Sequence, residues 1–279
     1  MTLLTLQAPA KLNLSLRILG KREDGFHEIE TLMVKLPGLA DHLDFQESKE
    51  FTFHCDDPEI PSDESNLVVK AARAYQNATG QSGRYALKLR KSIPHGAGLG
   101  GGSSDAAATL LGLNSLYGHA LAMESLIEIG AALGSDIPFF LHSGAAICKG
   151  RGEKIEQVPS PPQARVMLFK PRFNVSTPDA YQRWQQSAEI PSISYSPQSV
   201  AGLSYFNDLE RPVFQKHRFL AELKQWLLAR SDTAAALMSG SGSTVFAILK
   251  EDAQAEALAE AALQELDPHL WTWHGDTEA

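Results

Sequence analysis

Pro94-His95-Gly96-Ala97-Gly98-Leu99-Gly100-Gly101-Gly102-Ser103-Ser104-Asp105-Ala106-Ala107 is the stretch on which the reading of this chain turns. Five glycines fall within positions 96–102. Glycine gives up more backbone entropy on ordering than any other residue, so such a cluster implies a geometry, or an approach to a ligand, that a Cβ would prevent. Ser103, Ser104 and Asp105 behind it are good N-cap residues for a helix over 106–117. A helix start with unpaired N–H groups and the positive end of a dipole, fronted by glycines, is an anion site. Positions 96–101 formally satisfy G-x-G-x-x-G. The dinucleotide fingerprint, however, needs a strand directly before it and an acidic residue ending the next strand. Here Ile93-Pro94 intervenes, and the segment after the helix is helical again. No Gly-Lys-Ser/Thr closes the loop as in a Walker A motif, and the Val-Ala-Ile-Lys and His-Arg-Asp partners of a protein-kinase glycine loop are missing. What remains is a phosphate loop that opens a helix and has no lysine of its own.

Upstream, Leu12, Leu14, Leu16 and Ile18 alternate with Lys11, Asn13, Ser15 and Arg17. A period of two predicts a strand, with Lys11 and Asn13 projecting from one side of it. Residues 21–25 read as a turn, 27–36 as the returning strand, 51–55 as a short strand, 66–78 as a helix ended by Gly80, and 85–89 as a strand. Downstream, a helix over 123–133 stops at Gly134, followed by a strand over 145–148 and a turn over 150–153. Pro159, Pro161 and Pro162 mark a junction, dividing the chain into residues 1–157 and 158–279. The second part reads as a strand (165–169), a helix near 178–184, a polar stretch (187–204) and a helix (218–228). Two strands (234–238 and 244–249) then flank Ser239-Gly240-Ser241-Gly242-Ser243, before a last helix (253–263) and a strand near 271–273. The mixture in both parts predicts a two-domain α+β protein.

The 279 residues carry 25 Lys+Arg against 33 Asp+Glu, a net charge of −8, with 43% hydrophobic residues. That composition is ordinary for a globular protein and excludes disorder over most of the chain. The acidic balance lacks the basic footprint of a nucleic-acid or membrane-surface binder, so neither partner is expected. It leaves room for an anionic ligand, because a few N–H groups and one Lys hold a phosphate locally. Cys55 and Cys148 are too few for a disulfide framework or a Cys-rich zinc site, and read as buried free thiols. The N-terminus lacks a basic region and a cleavage site, and no apolar run reaches the ~18 residues of a membrane span. A cytoplasmic protein is the expectation.

The glycine-rich segment resembles the signature of the GHMP kinases, the superfamily of galactokinase and the homoserine, mevalonate and phosphomevalonate kinases. Its triple glycine and double serine resemble the branch that phosphorylates 4-diphosphocytidyl-2-C-methyl-D-erythritol. Other blocks agree in order: Pro9-Ala10-Lys11-Leu12-Asn13-Leu14, Asp24-Gly25-Phe26-His27, Gly134-Ser135-Asp136-Ile137-Pro138-Phe139-Phe140, Gly150-Arg151-Gly152-Glu153, Phe206-Asn207-Asp208-Leu209-Glu210 and Met238-Ser239-Gly240-Ser241-Gly242-Ser243. The resemblance implies a GHMP kinase fold, with an N-terminal α/β nucleotide-binding domain and a C-terminal ferredoxin-like α+β domain. The implied reaction is ATP-dependent phosphorylation of the substrate's 2-hydroxyl in non-mevalonate isoprenoid synthesis, with Mg²⁺ and as a monomer or homodimer. A kinase for another small alcohol, or a non-catalytic nucleotide-binding protein on the same scaffold, are the alternatives. Phe26-His27 speaks against the first, and the presence of both Lys11 and Asp136 against the second.

Taken alone, Asp136 behind a helix-ending glycine reads as a cap or turn residue, and Lys11 on a strand as a solvated cation. The resemblance implies that Asp136 is the catalytic base and that Lys11 beside it favours the ionised hydroxyl. Asn13 would hydrogen-bond the substrate alcohol. ATP would be held by residues of the loop (Pro94, His95, Gly96, Ala97, Gly98, Leu99, Gly100, Gly101, Gly102, Ser103 and Ser104), with Asn66 near the adenine and Ser104 a possible Mg²⁺ ligand. Helix N-capping explains Asn66 equally well. Phe26 and His27 would offer the cytidine a stacking face and a hydrogen-bonding edge, with Tyr181 the opposing aromatic; core packing is the plain alternative for both rings. Gly240 and Ser241 would close over the substrate's phosphates, where the residues alone read as a tight hairpin.

Overall fold

The computed structural model describes residues 2–81 and 83–278. Its frame is a long antiparallel pair, β1 (Thr2–Lys21) and β2 (His27–Glu47), joined by the tight turn at Gly25. There follow β3 (Thr52–Cys55), α1 (Leu67–Thr79), β4 (Tyr85–Arg90), α2 (Gly101–Leu116), α3 (Met123–Leu133), α4 (Ile137–Leu141), β5 (Ala146–Gly150) and β6 (Lys154–Gln157). The remainder is β7 (Arg165–Lys170), α5 (Thr177–Arg183), β8 (Gln198–Val200), β9 (Leu203–Asn207), α6 (Glu210–Lys216), α7 (Arg218–Leu228), β10 (Thr233–Met238), β11 (Val245–Leu249), α8 (Ala255–Glu265) and β12 (Trp271–Asp276). The first sheet runs β3-β4-β2-β1-β9-β8, with β5 paired along the start of β2 and β6 paired to β5; the second runs β10-β11-β7-β12. The second sheet, with α7 between β7 and β10 and α8 between β11 and β12, is the ferredoxin-like arrangement expected.

β2 reaches both β4 and β5 because it bends: Pro9 pairs with Ala40 but Ala10 pairs with Leu36, so residues 37–39 bulge out of register. A bulge of this kind kinks and twists the strand pair, and it lies directly before Lys11. Three apolar clusters hold the layers. Helices α1 to α4 pack Tyr75, Leu110, Leu113 and Phe139 on Phe45 and Leu87 of the first sheet. Helices α6 to α8 pack Phe214, Leu223, Leu227 and Leu258 on the second. Between the sheets, Ala10, Leu12 and Leu14 of β1 meet Leu168, Leu237 and Phe246. Both cysteines are free and buried. No helix among the described residues is long and apolar enough to cross a membrane.

Several elements differ from the sequence reading. Helix α2 opens at Gly101, five residues before the expected start, and its N-cap is Gly100 rather than a serine. Poor intrinsic helix formers are carried here by packing, which overrides propensity. The stretch 187–204 yields β8 and the start of β9, and α6 and β6 were not anticipated. β9 adds to the edge of β1 through a two-residue parallel register, a long-range pairing that leaves no mark on local periodicity. Lys11 and Asn13, expected on a polar face, are 3% and 4% exposed. The face they occupy is covered by the glycine loop and by the turn between β10 and β11.

Candidate active site

The glycine loop is a two-sided structure. Gly96, Gly98 and Gly100 have φ of +63°, +76° and +73°, whereas Ala97 and Leu99 do not have positive φ. Ala97 and Leu99 put their side chains into the core between the sheets, and the three glycines line the main cavity. Alternating signs of φ turn successive N–H groups toward one side, the geometry of an anion nest. The nest runs straight into α2, whose first bond is Ser104 N–H to the Gly100 carbonyl at 2.9 Å. The N–H groups of Gly101, Gly102 and Ser103 therefore have no intrahelical acceptor. The loop is stitched down on both sides: Lys11 N–H donates to Leu99 O at 2.9 Å, Thr244 N–H to Ala97 O at 3.1 Å, and Ser239 Oγ to Gly98 O at 3.0 Å. A mobile surface loop would show none of these bonds.

Behind the helix start, Lys91 bridges two buried carboxylates, Asp41 and Asp105, the latter at 2.8 Å. Asp41 also accepts the N–H groups of Ser92 and Ile93 at 2.6 and 2.9 Å. One cation serves two carboxylates, and Asp105 is pushed up to about 8: desolvation leads, the Asp41 charge adds, and Lys91 only partly opposes them. The Ser104 hydroxyl in the first turn of α2 is buried without a hydrogen-bond partner.

The cavity has a volume of about 690 Å³ and is lined by Lys11, Asn13, Thr31, the three loop glycines, Ser135, Asp136, Phe26, His27, Arg151, Thr177, Tyr181 and the turn Gly240-Ser241-Gly242. At its floor Lys11 Nζ lies 3.7 Å from Asp136 Oδ2. Asp136 is the N-cap of α4, which carries Pro138 in its first turn and which Phe139 and Phe140 anchor in the core. Lys11 is aimed by a directed chain: its ammonium donates to Asn13 Oδ1 at 2.5 Å, Asn13 Nδ2 donates to Thr31 Oγ1 at 2.8 Å, and Thr31 donates to the Ser15 carbonyl at 2.6 Å. Its stem passes where a Cβ on Gly100 would lie 2.9 Å away. An ammonium and a carboxylate so held, beside a phosphate nest, can move a proton off a hydroxyl while neutralising charge on a phosphoryl group.

At the far end, the Tyr181 and His27 rings stack at 5.3 Å with 29° between planes, and Trp184 meets His27 edge-on at 6.0 Å. Phe26 is 51% exposed on the rim, with the Arg151 guanidinium 4.7 Å from its ring centre. Desolvation, with the nearby charge of Lys21, holds the His27 imidazole below its ordinary range, so it is neutral near pH 7. Burial pushes the Tyr181 phenol well up.

The structure thus gathers Lys11, Asn13, Phe26, His27, Gly96, Gly98, Gly100, Asp136, Tyr181, Gly240 and Ser241 around one space. Asn13 points its oxygen at Lys11 rather than outward. Ala97 and Leu99 face the core, His95 is exposed, and Pro94, Gly101, Gly102, Ser103 and Ser104 are not among the cavity-lining residues. Asn66 caps α1, accepting from Val68 N–H at 2.8 Å and donating to Pro61 O at 2.7 Å, away from the cavity. Arg151, Thr31, Thr177 and Trp184 were not singled out. Only Arg151 had a signal, its place in the Gly150-Arg151-Gly152-Glu153 block. Among the described residues no His, Cys, Asp and Glu side chains converge as a metal cage.

Comparison with known proteins agrees with this geometry. Residues 66–144 match the pattern "GHMP kinases N terminal domain" and residues 198–268 match "GHMP kinases C terminal". A Methylacidiphilum infernorum protein described as 4-diphosphocytidyl-2-C-methyl-D-erythritol kinase is 41% identical over 275 residues, 95% of this chain and 93% of that one. A Bacillus cytotoxicus protein of the same description is 39% identical, covering 90% of each. The crystal structure of a 4-(cytidine 5'-diphospho)-2C-methyl-D-erythritol kinase superposes with a TM-score of 0.78 at 33% identity, over 99% of this chain and 100% of that one. Homoserine kinase from Cytophaga hutchinsonii, 18% identical with a TM-score of 0.70 over 99% of this chain and 94% of that one, shares the fold. With two GHMP domain patterns in order, full-length relatives near 40% identity and a glycine nest facing a lysine–aspartate pair, the chain belongs to the 4-diphosphocytidyl-2-C-methyl-D-erythritol kinase family of the GHMP kinases.

Proposed function

We propose that the protein transfers the γ-phosphoryl group of ATP to the 2-hydroxyl of 4-diphosphocytidyl-2-C-methyl-D-erythritol, giving the 2-phosphate and ADP. The observation that carries this reading is the Lys11–Asp136 pair at 3.7 Å on the floor of a cavity with the glycine nest on one side and Phe26, His27 and Tyr181 on the other. In this reading the nest and the N–H groups opening α2 hold the phosphates. Asp136 accepts the hydroxyl proton as the substrate oxygen bonds to the γ-phosphorus and the bond to the ADP oxygen breaks. Lys11 offsets the charge building on the migrating phosphoryl group, and Asn13 keeps its ammonium on line. The orphaned Ser104 hydroxyl suits a single oxygen ligand to Mg²⁺, which shields phosphate charge when bound. The cytosine ring would stack on Phe26, with neutral His27 at its edge. Residues 1–157 would form the ATP-cradling unit, and residues 158–279 the unit bringing Tyr181 and the 239–243 turn over the acceptor.

An ADP-release assay on a panel of alcohols (the cytidylyl substrate, homoserine and mevalonate) tests the reading, with Asp136→Asn as the reference. Turnover confined to the cytidylyl alcohol and lost in the variant is the expected outcome. No release with that alcohol overturns the substrate, and undiminished release by Asp136→Asn overturns the base.

A further inference from the structure

The block Phe206-Asn207-Asp208-Leu209-Glu210 has no part in the chemistry above, yet Asn207 and Glu210 are buried and hydrogen-bonded through all their polar atoms, and half-buried Asp208 is hydrogen-bonded too. Asn207 is 5% exposed. Its Nδ2 donates to two carbonyls, Met238 O and Gly240 O, both at 2.7 Å, and its Oδ1 accepts from Leu209 N–H at 2.9 Å. Glu210 accepts from Met238 N–H at 2.9 Å through one oxygen and from Lys224 at 2.6 Å through the other; Lys224 also donates to Ser194 O at 2.9 Å. Asp208 extends the β1–β9 ladder: its N–H donates to Leu16 O at 2.9 Å and its carboxylate accepts from Ile18 N–H at 2.8 Å.

Two main-chain segments are thereby tied to one short peptide. One is β1, which carries Lys11 and Asn13. The other is the β10–β11 turn, gripped at both polar groups of Met238 and at the Gly240 carbonyl. The front of that turn lines the cavity, so close to the catalytic floor that a Cβ on Gly240 would lie 3.3 Å from Lys11 Nζ and 3.2 Å from Asn13 Oδ1. Replacing a buried ion pair such as Glu210–Lys224 by apolar residues is often neutral or stabilising, so its presence points to a demand for geometry rather than for stability. A side chain that donates to two carbonyls at once fixes a turn in a way an apolar contact does not.

We infer that Asn207 and Glu210 are positioning residues, which set the seat of the 239–242 turn against Lys11 and Asn13 and so align the acceptor hydroxyl with the γ-phosphorus. The inference rests on the reaction proposed above, and the two fail separately: wild-type turnover tests the reaction, whereas the ratio of variant to wild-type kcat tests the positioning. The variants are Asn207→Ser, which keeps one donor, Asn207→Ala, which keeps none, and Asn207→Asp, which turns a carboxylate oxygen toward the carbonyls. Each is measured by steady-state kinetics with ATP and the cytidylyl alcohol, and normalised to the fraction binding a non-hydrolysable ATP analogue. Asn207 makes none of the hydrogen bonds that hold the glycine nest, and the nest's hydrogen bonds to the turn are those of Ser239 and Thr244, so KM for ATP rises by much less than normalised kcat falls, the latter by about 100-fold for a displacement near 1 Å. The expected order of normalised kcat is wild type, Ser, then Ala and Asp. Normalised kcat within about twofold of wild type for Ser and Ala overturns the inference. So does failure of all three variants to give nucleotide-binding protein, which assigns Asn207 to the core alone.

Discussion

Lys11 Nζ and Asp136 Oδ2 stand 3.7 Å apart, the first on the middle of a buried strand and the second at the head of a five-residue helix. Lys11 is almost fully enclosed, whereas the Asp136 side chain is 36% exposed and open to the cavity. Asp136→Asn therefore keeps the shape and loses the proton acceptor: kcat drops by roughly 10²–10⁴ with the melting temperature little changed. Lys11→Met costs a comparable factor in kcat, and the double variant costs far less than the product of the two, since groups acting as a unit are non-additive. ADP release under saturating substrates checks all three.

Gly98 and Gly102 should separate loop architecture from ligand contact. A Cβ on Gly98 would collide with the Ser239 carbonyl and lie 2.8 Å from Gly242 O, at a φ of +76°. Gly98→Ala should lose about 1–3 kcal/mol of stability together with its activity. Gly102 lies in α2 without a positive φ, its nearest neighbour Leu67 Cδ1 at 3.7 Å from a would-be Cβ. Gly102→Ala should gain up to about 1 kcal/mol as a better helix former and still bind ATP more weakly. Chemical denaturation and nucleotide titration of both variants measure the split; equal ATP affinity in Gly102→Ala and wild type would remove this glycine from the phosphate site.

Phe26 is exposed, so trimming it leaves the core untouched. Phe26→Ala should raise KM for the cytidylyl alcohol by about 5- to 150-fold, the equivalent of ~1–3 kcal/mol of base stacking. KM for ATP and the melting temperature should stay level. Phe26→Tyr keeps the face and should behave as wild type. A Phe26→Ala variant with unaltered KM for the alcohol would move the base elsewhere.

Asp105 gives the stability a pH dependence of defined sign. Its carboxyl titrates near the usual 3.8 once unfolded and at about 8 in the folded protein, because burial and Asp41 outweigh Lys91. The proton kept by the fold contributes stability that is full below pH 4 and is lost as pH rises through 8, at up to ~1.4 kcal/mol per pH unit. Asp105→Asn cannot ionise. The variant should gain on wild type as the pH is raised from 6 to 9, read as the difference between their melting temperatures. A constant difference across that range would sink the assignment.

The glycine-rich loop and most of the strands and helices were legible because each leaves a local mark: clustered glycines, a period of two or of 3.6, or a capping pattern; Lys11 and Asp136 leave none and were singled out by the family resemblance alone. Lys11 was legible as a residue but not as a buried one, since the cover over it comes from residues 96–100 and 239–243. The β9 addition to β1 was illegible for the same reason, being fixed by Asp208 and two ladder positions rather than by the polar stretch before it. Helix α2 starts early, at glycines whose would-be Cβ atoms would meet Ile93 and Leu67, a tertiary setting that propensity does not contain. Asn66 shows the opposite case, where the plain reading is what the structure contains: its oxygen caps α1 and its nitrogen donates to the Pro61 carbonyl.

Residues 96–100 also have a parity. Odd-numbered Ala97 and Leu99 belong to the interior and even-numbered glycines to the cavity, as along a strand half in water. Deleting one residue there would swing methyl and isobutyl groups into the cavity mouth and leave holes in the wall between the sheets. Length variants that keep both faces in phase must therefore come in steps of two, which makes this segment less free to drift in size than its glycine content suggests.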